Sequence, residues 1–153
     1  MDIYTRGCAL GMEEETEMQV GGYAAVLVRG EASEVISGAQ PSATNNTMEL
    51  RAVIAALLSL EERSGVTIYT PSKYVLHGAR RWLPGWKRRG WQTRDGKRVK
   101  NREMWEALDR AMDAHAITWR FLPQDARGDY SKEASQAARR EAEDMRERKM
   151  RKT

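Results

Sequence analysis

Cysteine, histidine and phenylalanine are nearly absent from this chain: its 153 residues include one Cys, two His and one Phe. A lone cysteine, Cys8, excludes an internal disulfide, and one Cys with two His is too small a set for a Cys/His zinc site. No apolar run approaches the ~18 residues that cross a bilayer, so no membrane partner is expected. No basic-then-apolar segment opens the chain, so no signal peptide is expected. Together these absences point to a reducing, cytoplasmic location. Internal repeats and low-complexity linkers are also missing. The simplest division is one domain over residues 1–143 and a charged C-terminal tail over 144–153, which is available as an arm for a protein partner.

What is present is an uneven charge. Residues 80–102 hold ten Lys/Arg (Arg80, Arg81, Lys87, Arg88, Arg89, Arg94, Lys97, Arg98, Lys100 and Arg102) against one acid, Asp95. That window carries +9, and with +4 for the whole chain the remainder carries −5. A solvated helix face normally mixes signs; this one does not, and it points to a polyanionic partner. An opposite cluster, Glu13, Glu14, Glu15 and Glu17, sits in a stretch read as a loop over 12–19.

The hydrophobic period divides the chain into elements. Residues 2–8 read as a strand, the apolar run Tyr23 to Val28 as a buried strand, and Glu34 to Ser37 as a third. From Thr44 the spacing turns helical through Leu50, Val53, Ile54, Leu57 and Leu58, with Thr44 or Asn45 as the cap and Gly65 as the stop. Val66 to Thr70 returns to strand, residues 72–80 form a short helix, and Pro84, Gly85 and Gly90 break the stretch after it. Met104 to Met112 is an amphipathic helix, Ile117 to Leu122 a strand, Pro123 to Asp129 a loop. A last helix starts near Ser131. Three short-linked strands suggest an antiparallel meander, and the strand–helix–strand order that follows favours parallel pairing. The fold class is α/β, a five-stranded mixed sheet flanked by helices.

Three blocks give this order a family resemblance. They are Thr44-Asn45-Asn46-Thr47-Met48-Glu49-Leu50, the run from Trp82 to Trp91, and Val99-Lys100-Asn101 leading to Trp105, with Trp119 on the next strand. The chain resembles a type 1 ribonuclease H over residues 2–143. The resemblance implies a ribonuclease H-like fold with a basic helical protrusion that grips RNA–DNA hybrid. It also implies cleavage of the RNA strand by two divalent metals about 3.5–4 Å apart, neutralised by a cluster of carboxylates.

Carried over position by position, that cluster is broken. The first-strand aspartate falls on Arg6 and the helix glutamate is present as Glu49. The aspartate ending the fourth strand falls on Pro71, the last-helix aspartate on Ala134, and the loop histidine on Asp125. The degenerate positions Arg6, Pro71, Ala134 and Asp125 beside Glu49 therefore predict a catalytically inactive protein with no metal or other cofactor. Its partner would be RNA–DNA hybrid or double-stranded RNA, read by A-form shape and backbone. Arg6 is expected to pair with Glu49; a sharper reading has its guanidinium contact a phosphate. The expected nucleic-acid contacts are Thr44, Asn45, Asn46, Lys73, Trp82, Trp86, Lys87, Arg88, Arg89, Trp91, Arg94, Lys97, Arg98 and Lys100. Trp105 and Trp119 are assigned to the core. Two rivals are a protein-interaction scaffold on the same fold, and a residual Mg- or Mn-dependent ribonuclease with ligands rearranged onto Glu49, Asp125, Asp129 or Glu133.

Overall fold

The computed structural model describes residues 1–12, 15–126 and 128–151, residues 15–18 by their backbone alone. Five strands form one sheet: β1 (Asp2–Met12), β2 (Glu15–Arg29), β3 (Ala32–Gln40), β4 (Gly65–Thr70) and β5 (Ala116–Phe121), in the order β3-β2-β1-β4-β5. The first three pair antiparallel, with Arg6 opposite Ala24, while β4 lies parallel to both β1 and β5. The ribonuclease H-like order of a meander followed by parallel strands is thus present as expected.

Helices cover both faces. α1 (Asn45–Leu58), α2 (Lys73–His77), α3 (Leu83–Arg88) and α4 (Arg102–Met112) precede β5, and α5 (Asp129–Arg151) closes the chain. The main core lies between the sheet and the first group, where Ile3, Leu50, Val53, Ile68, Leu108 and Trp105 are buried. Trp119 is buried there too. On the other face α5 packs across β1, β2 and β3. Its buried side is the small-residue series Ser131, Ala134, Ala138 and Ala142. Small residues set the helix backbone close to the sheet, and β2 answers with Gly22, where an added Cβ would lie 2.1 Å from the Ala138 carbonyl oxygen. Among the described residues no helix is long and apolar enough to cross a membrane.

Several boundaries differ from the sequence reading. The first two strands run further than expected because their ladder continues through Leu10↔Val20 and Gly11↔Gln19. The extension includes buried Val20, but Gly11 and Gly21 beside it have no side chain, so the pattern there is too short for the period to show. The acidic loop over 12–19 falls partly on residues 13 and 14, outside the described residues; β2 has begun by Glu15. α1 stops at Leu58 with Ser59 as its C-cap, and Gly65 opens β4 instead of ending the helix. Pro84 and Gly85 do not break the chain. Pro84 occupies the first turn of α3, where its missing N–H costs nothing. Between α2 and α3 lies a π-helical turn, Gly78–Trp82, seated on the Trp105 ring. α5 begins at Asp129 and passes residue 143 without interruption. Its late cations Arg146 and Lys149 donate to the Gly11 and Pro41 carbonyls.

At Gly7 the sheet and α1 meet most closely. A Cβ there would stand 2.5 Å from the Glu49 amide nitrogen and 2.8 Å from the Met48 Cβ. Gly7→Ala is therefore expected to destabilise the fold by about 1–3 kcal/mol through overpacking. Gly11→Ala, where nothing lies within 4 Å, should be near neutral. Denaturant melts of the two variants measure the difference.

Candidate nucleic-acid and catalytic site

The site begins at the α1 cap. Thr44 is extended and its Oγ1 accepts from the Thr47 amide at 3.1 Å, while the Thr44 amide donates to Thr47 Oγ1 at 2.9 Å. This reciprocal pair satisfies two donors and fixes the helix start. Asn45 Oδ1 accepts from the Ala9 amide at 3.1 Å, so the cap is tied to β1. Asn46 is exposed beside it.

One helical turn on, Glu49 is buried, 4% exposed, against the Gly7 backbone. Burial pushes its carboxyl up from 4.5 to about 7, opposed by a hydrogen bond from Gly7 and by the charge of Arg6. Its Oε2 has no hydrogen-bond partner. Arg6, on β1, is 6% exposed. Its Nη2 donates to the carbonyls of Gln124 at 3.2 Å and Pro123 at 3.4 Å. Burial lowers the pKa of its guanidinium and Glu49 raises it. The expected Arg6–Glu49 pair is thus corrected. The two charges sense each other, but the guanidinium donates to the loop before α5 and forms no ion pair with Glu49 within 4.0 Å. The sharper reading, a phosphate held by Arg6, does not match a side chain this enclosed.

The other family positions carry no ligand. Pro71 follows β4, where Thr70 Oγ1 accepts from the Ser72 amide at 3.1 Å and Ser72 caps α2. Ala134 is fully buried against the sheet. Asp125, Asp129 and Glu133 are exposed. Among the described residues no three His, Cys, Asp or Glu gather into a group that holds a metal ion. A cleft of about 590 Å³ beside Arg6 includes Gln124, Asp129, Lys132 and Ser135, so its charged lining is two cations and one acid. Two divalent ions need several hard oxygen ligands around them. This donor set, with a permanent cation in place of a carboxylate, does not fit them.

The basic segment is built on stacked aromatic rings. Trp86 packs edge-on against Trp105 at 5.3 Å and beside Trp82 at 5.8 Å, and the Trp105 indole N–H donates to the Tyr74 hydroxyl at 3.0 Å. Val99, 3% exposed, anchors the loop of residues 91–99, which an isolated bridge between Gln92 and Arg98 closes. Trp91 and Asn101 take positive φ, 65° and 61°, to make the two corners. Trp82, Trp86 and Trp91 are therefore largely structural, although Trp82 keeps 39% exposure. Lys87 pairs with Asp109, Arg98 with Glu103, and Arg102 with Glu106; Arg89 donates to the Gln92 carbonyl. Among the described residues, Arg80, Arg81, Arg88, Arg94, Lys97 and Lys100 form no ion pair, and all six are exposed. Lys73 sits over the Phe121 ring at 5.5 Å.

One cation lies outside the contacts expected from the sequence. Arg51, with Gln40, Ser42, Thr44, Thr47 and Met104, lines a cleft of about 420 Å³ between the cap and α4. Its buried Nε has no hydrogen-bond partner, and its guanidinium lies 6.0 Å from the Tyr23 ring centroid. The signal was available: Arg51 is the single charge in the apolar stretch Leu50 to Leu58.

Comparison with known proteins defines the class. The RNase H family pattern matches residues 1–143. Ribonuclease H of Thiobacillus denitrificans is 46% identical over 120 residues, 78% of this chain and 78% of its own. Ribonuclease H of Agrobacterium fabrum is 38% identical over 148 residues, 97% of this chain and 98% of its own. Among solved structures, LC9-RNase H1, a type 1 RNase H with the type 2 active-site motif, superposes with a TM-score of 0.78 at 27% identity, covering 94% of this chain and 72% of that one. The chain belongs to the RNase H family. The expectation of a catalytically inactive binder, and of a non-enzyme scaffold as its rival, is corrected by these relatives, which are enzymes by name at 38% and 46% identity.

Glu49 provides a pH test. Unfolded, its carboxyl releases a proton near 4.5; folded, it holds the proton to about 7. Its contribution therefore falls as pH rises between those values and is level above them. Glu49→Gln removes the fall. Its stability relative to wild type should grow from pH 4.5 to 7 by on the order of 3 kcal/mol, at ~1.4 kcal/mol per unit. Urea melts across this range check it; parallel curves would contradict it.

Proposed function

We propose that this chain is a ribonuclease H that takes RNA–DNA hybrid across the start of α1, the start of α2 and segment 80–102, and cuts the RNA strand. Kinship with named ribonucleases H supports the cutting. The observation that carries the binding is the row of exposed, unpaired cations: Arg80, Arg81, Arg88, Arg94, Lys97 and Lys100. In this reading the segment is the basic protrusion of the family, held rigid by Trp82, Trp86 and Trp105. Its cations meet backbone phosphates, which fix position but not sequence. Exposed Asn46 and the cap residues Thr44 and Asn45 face the minor groove of the A-form duplex, where 2′-hydroxyls distinguish RNA from DNA. Lys73 on its phenylalanine adds a further phosphate contact. Arg51 supplies a charge to the hydroxyl-lined cleft beside the cap.

Glu49 is the one carboxylate of the family set that this chain keeps, and in this reading the cutting depends on it. Metal pairs supply a nucleophile and stabilise the leaving oxygen where a family site holds them. The donors here do not fit that pair, and no step is assigned through it.

The test uses a duplex with labelled RNA and DNA strands. Binding is read against salt, and cutting is read in magnesium, in manganese and in chelator. About five phosphate contacts give a slope of log K against log salt of roughly −4 to −5. Cutting should fall on the RNA strand alone and vanish in Glu49→Gln. A duplex neither bound at low salt nor cut would refute the reading. Arg51→Gln is expected to flatten the salt slope by about one, and joint replacement of Arg94, Lys97 and Lys100 by Gln by up to about three.

A further inference from the structure

The side chain of Arg6 is arranged as a bound cation would be. Its Nη2 is in hydrogen-bond contact with two carbonyl oxygens, those of Pro123 and Gln124, 117 and 118 residues along the chain. The buried carboxylate of Glu49 lies close enough for each group to alter the other's ionisation. The neighbouring Gly7 N–H is bound to that same carboxylate. Two carbonyl oxygens thus contact a charge that belongs to the chain, and a carboxyl from a distant segment lies within its field. One orphaned oxygen remains, Glu49 Oε2. A single donor next to a guanidinium does not hold a small divalent ion, which requires several oxygens and no competing cation. The adjoining cleft adds Lys132 against Asp129 and so offers no surplus of negative charge.

We propose that Arg6 is the resident cation of this site. It ties the loop before α5 to β1 and faces Glu49, and the chain takes up no divalent ion at this position. An ion released by chelation cannot loosen such a tie, because the charge is covalently attached. The proposal stands apart from the hybrid reading, since ion uptake and nucleic-acid handling are measured separately.

The test is a manganese chloride titration of the ¹⁵N-labelled protein, read by paramagnetic broadening. In the wild type the amides of Gly7, Glu49 and Gln124 should show no saturable broadening. Arg6→Asp, which places a second carboxylate beside Glu49, should gain saturable broadening at these amides and a manganese-dependent rise in Tm. Arg6→Met should make residues 122–126 more sensitive to protease at unchanged manganese. Saturable broadening at Gly7 and Glu49 in the wild type, abolished by Glu49→Gln, would overturn the proposal. The wild-type titration decides the matter alone if Arg6→Asp does not fold. A protein that fails to bind or cut hybrid leaves this readout intact, so the two readings fail separately.

Discussion

The contact between β1 and the first turns of α1 sets the terms for the rest of the site. Gly7 admits the α1 backbone to the strand, and that approach seals the Glu49 carboxyl from water. A carboxyl with little solvent must find hydrogen bonds, opposite charge or a proton. Glu49 has part of each: the Gly7 amide, the field of Arg6, and a proton held to about pH 7. Arg6 in turn spends donors on the Pro123 and Gln124 carbonyls, and this fixes where the loop enters α5. The cap pair of Thr44 and Thr47 and the Asn45 contact to Ala9 hold the same junction from outside.

Much of this was legible in the sequence, for physical reasons. The strand and helix periods around the buried core are enforced by burial, so β4, α4, β5 and the start of α1 were read within a few residues. The Thr44 cap and the core tryptophans Trp105 and Trp119 followed from local chemistry and amphipathic spacing. What escaped were features set by tertiary contact. The π-helical turn at Gly78–Trp82 exists because the Trp105 ring presses on Gly78, and no local signal announces it. Pro84 and Gly85 looked like breakers because a proline in the first turn of a helix cannot be told from one in a loop without the helix start. The far end of the β1–β2 ladder carries too short a pattern to read.

The site was legible in part. Loss of carboxylates at Arg6, Pro71 and Ala134 was plain from the residues. The step from lost ligands to lost activity did not hold, because identity of 46% over 120 residues, 78% of the chain, to a named ribonuclease H is kinship of a kind that one pocket does not cancel. The pairing of Arg6 was also misjudged. A charge contact between Arg6 and Glu49 was the simplest guess from composition, whereas carbonyl groups, invisible in a sequence, compete well for a buried guanidinium. Arg51 was overlooked because a single cation in an apolar helix reads as a surface residue until the cleft beside it is seen.

A buried acid beside a captive guanidinium lies at the centre of the site, and the ionisation of that acid reports on it directly. A ¹³C titration of the Glu49 side-chain carboxyl in the folded wild-type protein should give a midpoint near 7, as its burial dictates. A midpoint in the ordinary carboxylate range, ~4–4.5, would show a site open to water or an acid in direct contact with Arg6, and would contradict the arrangement described.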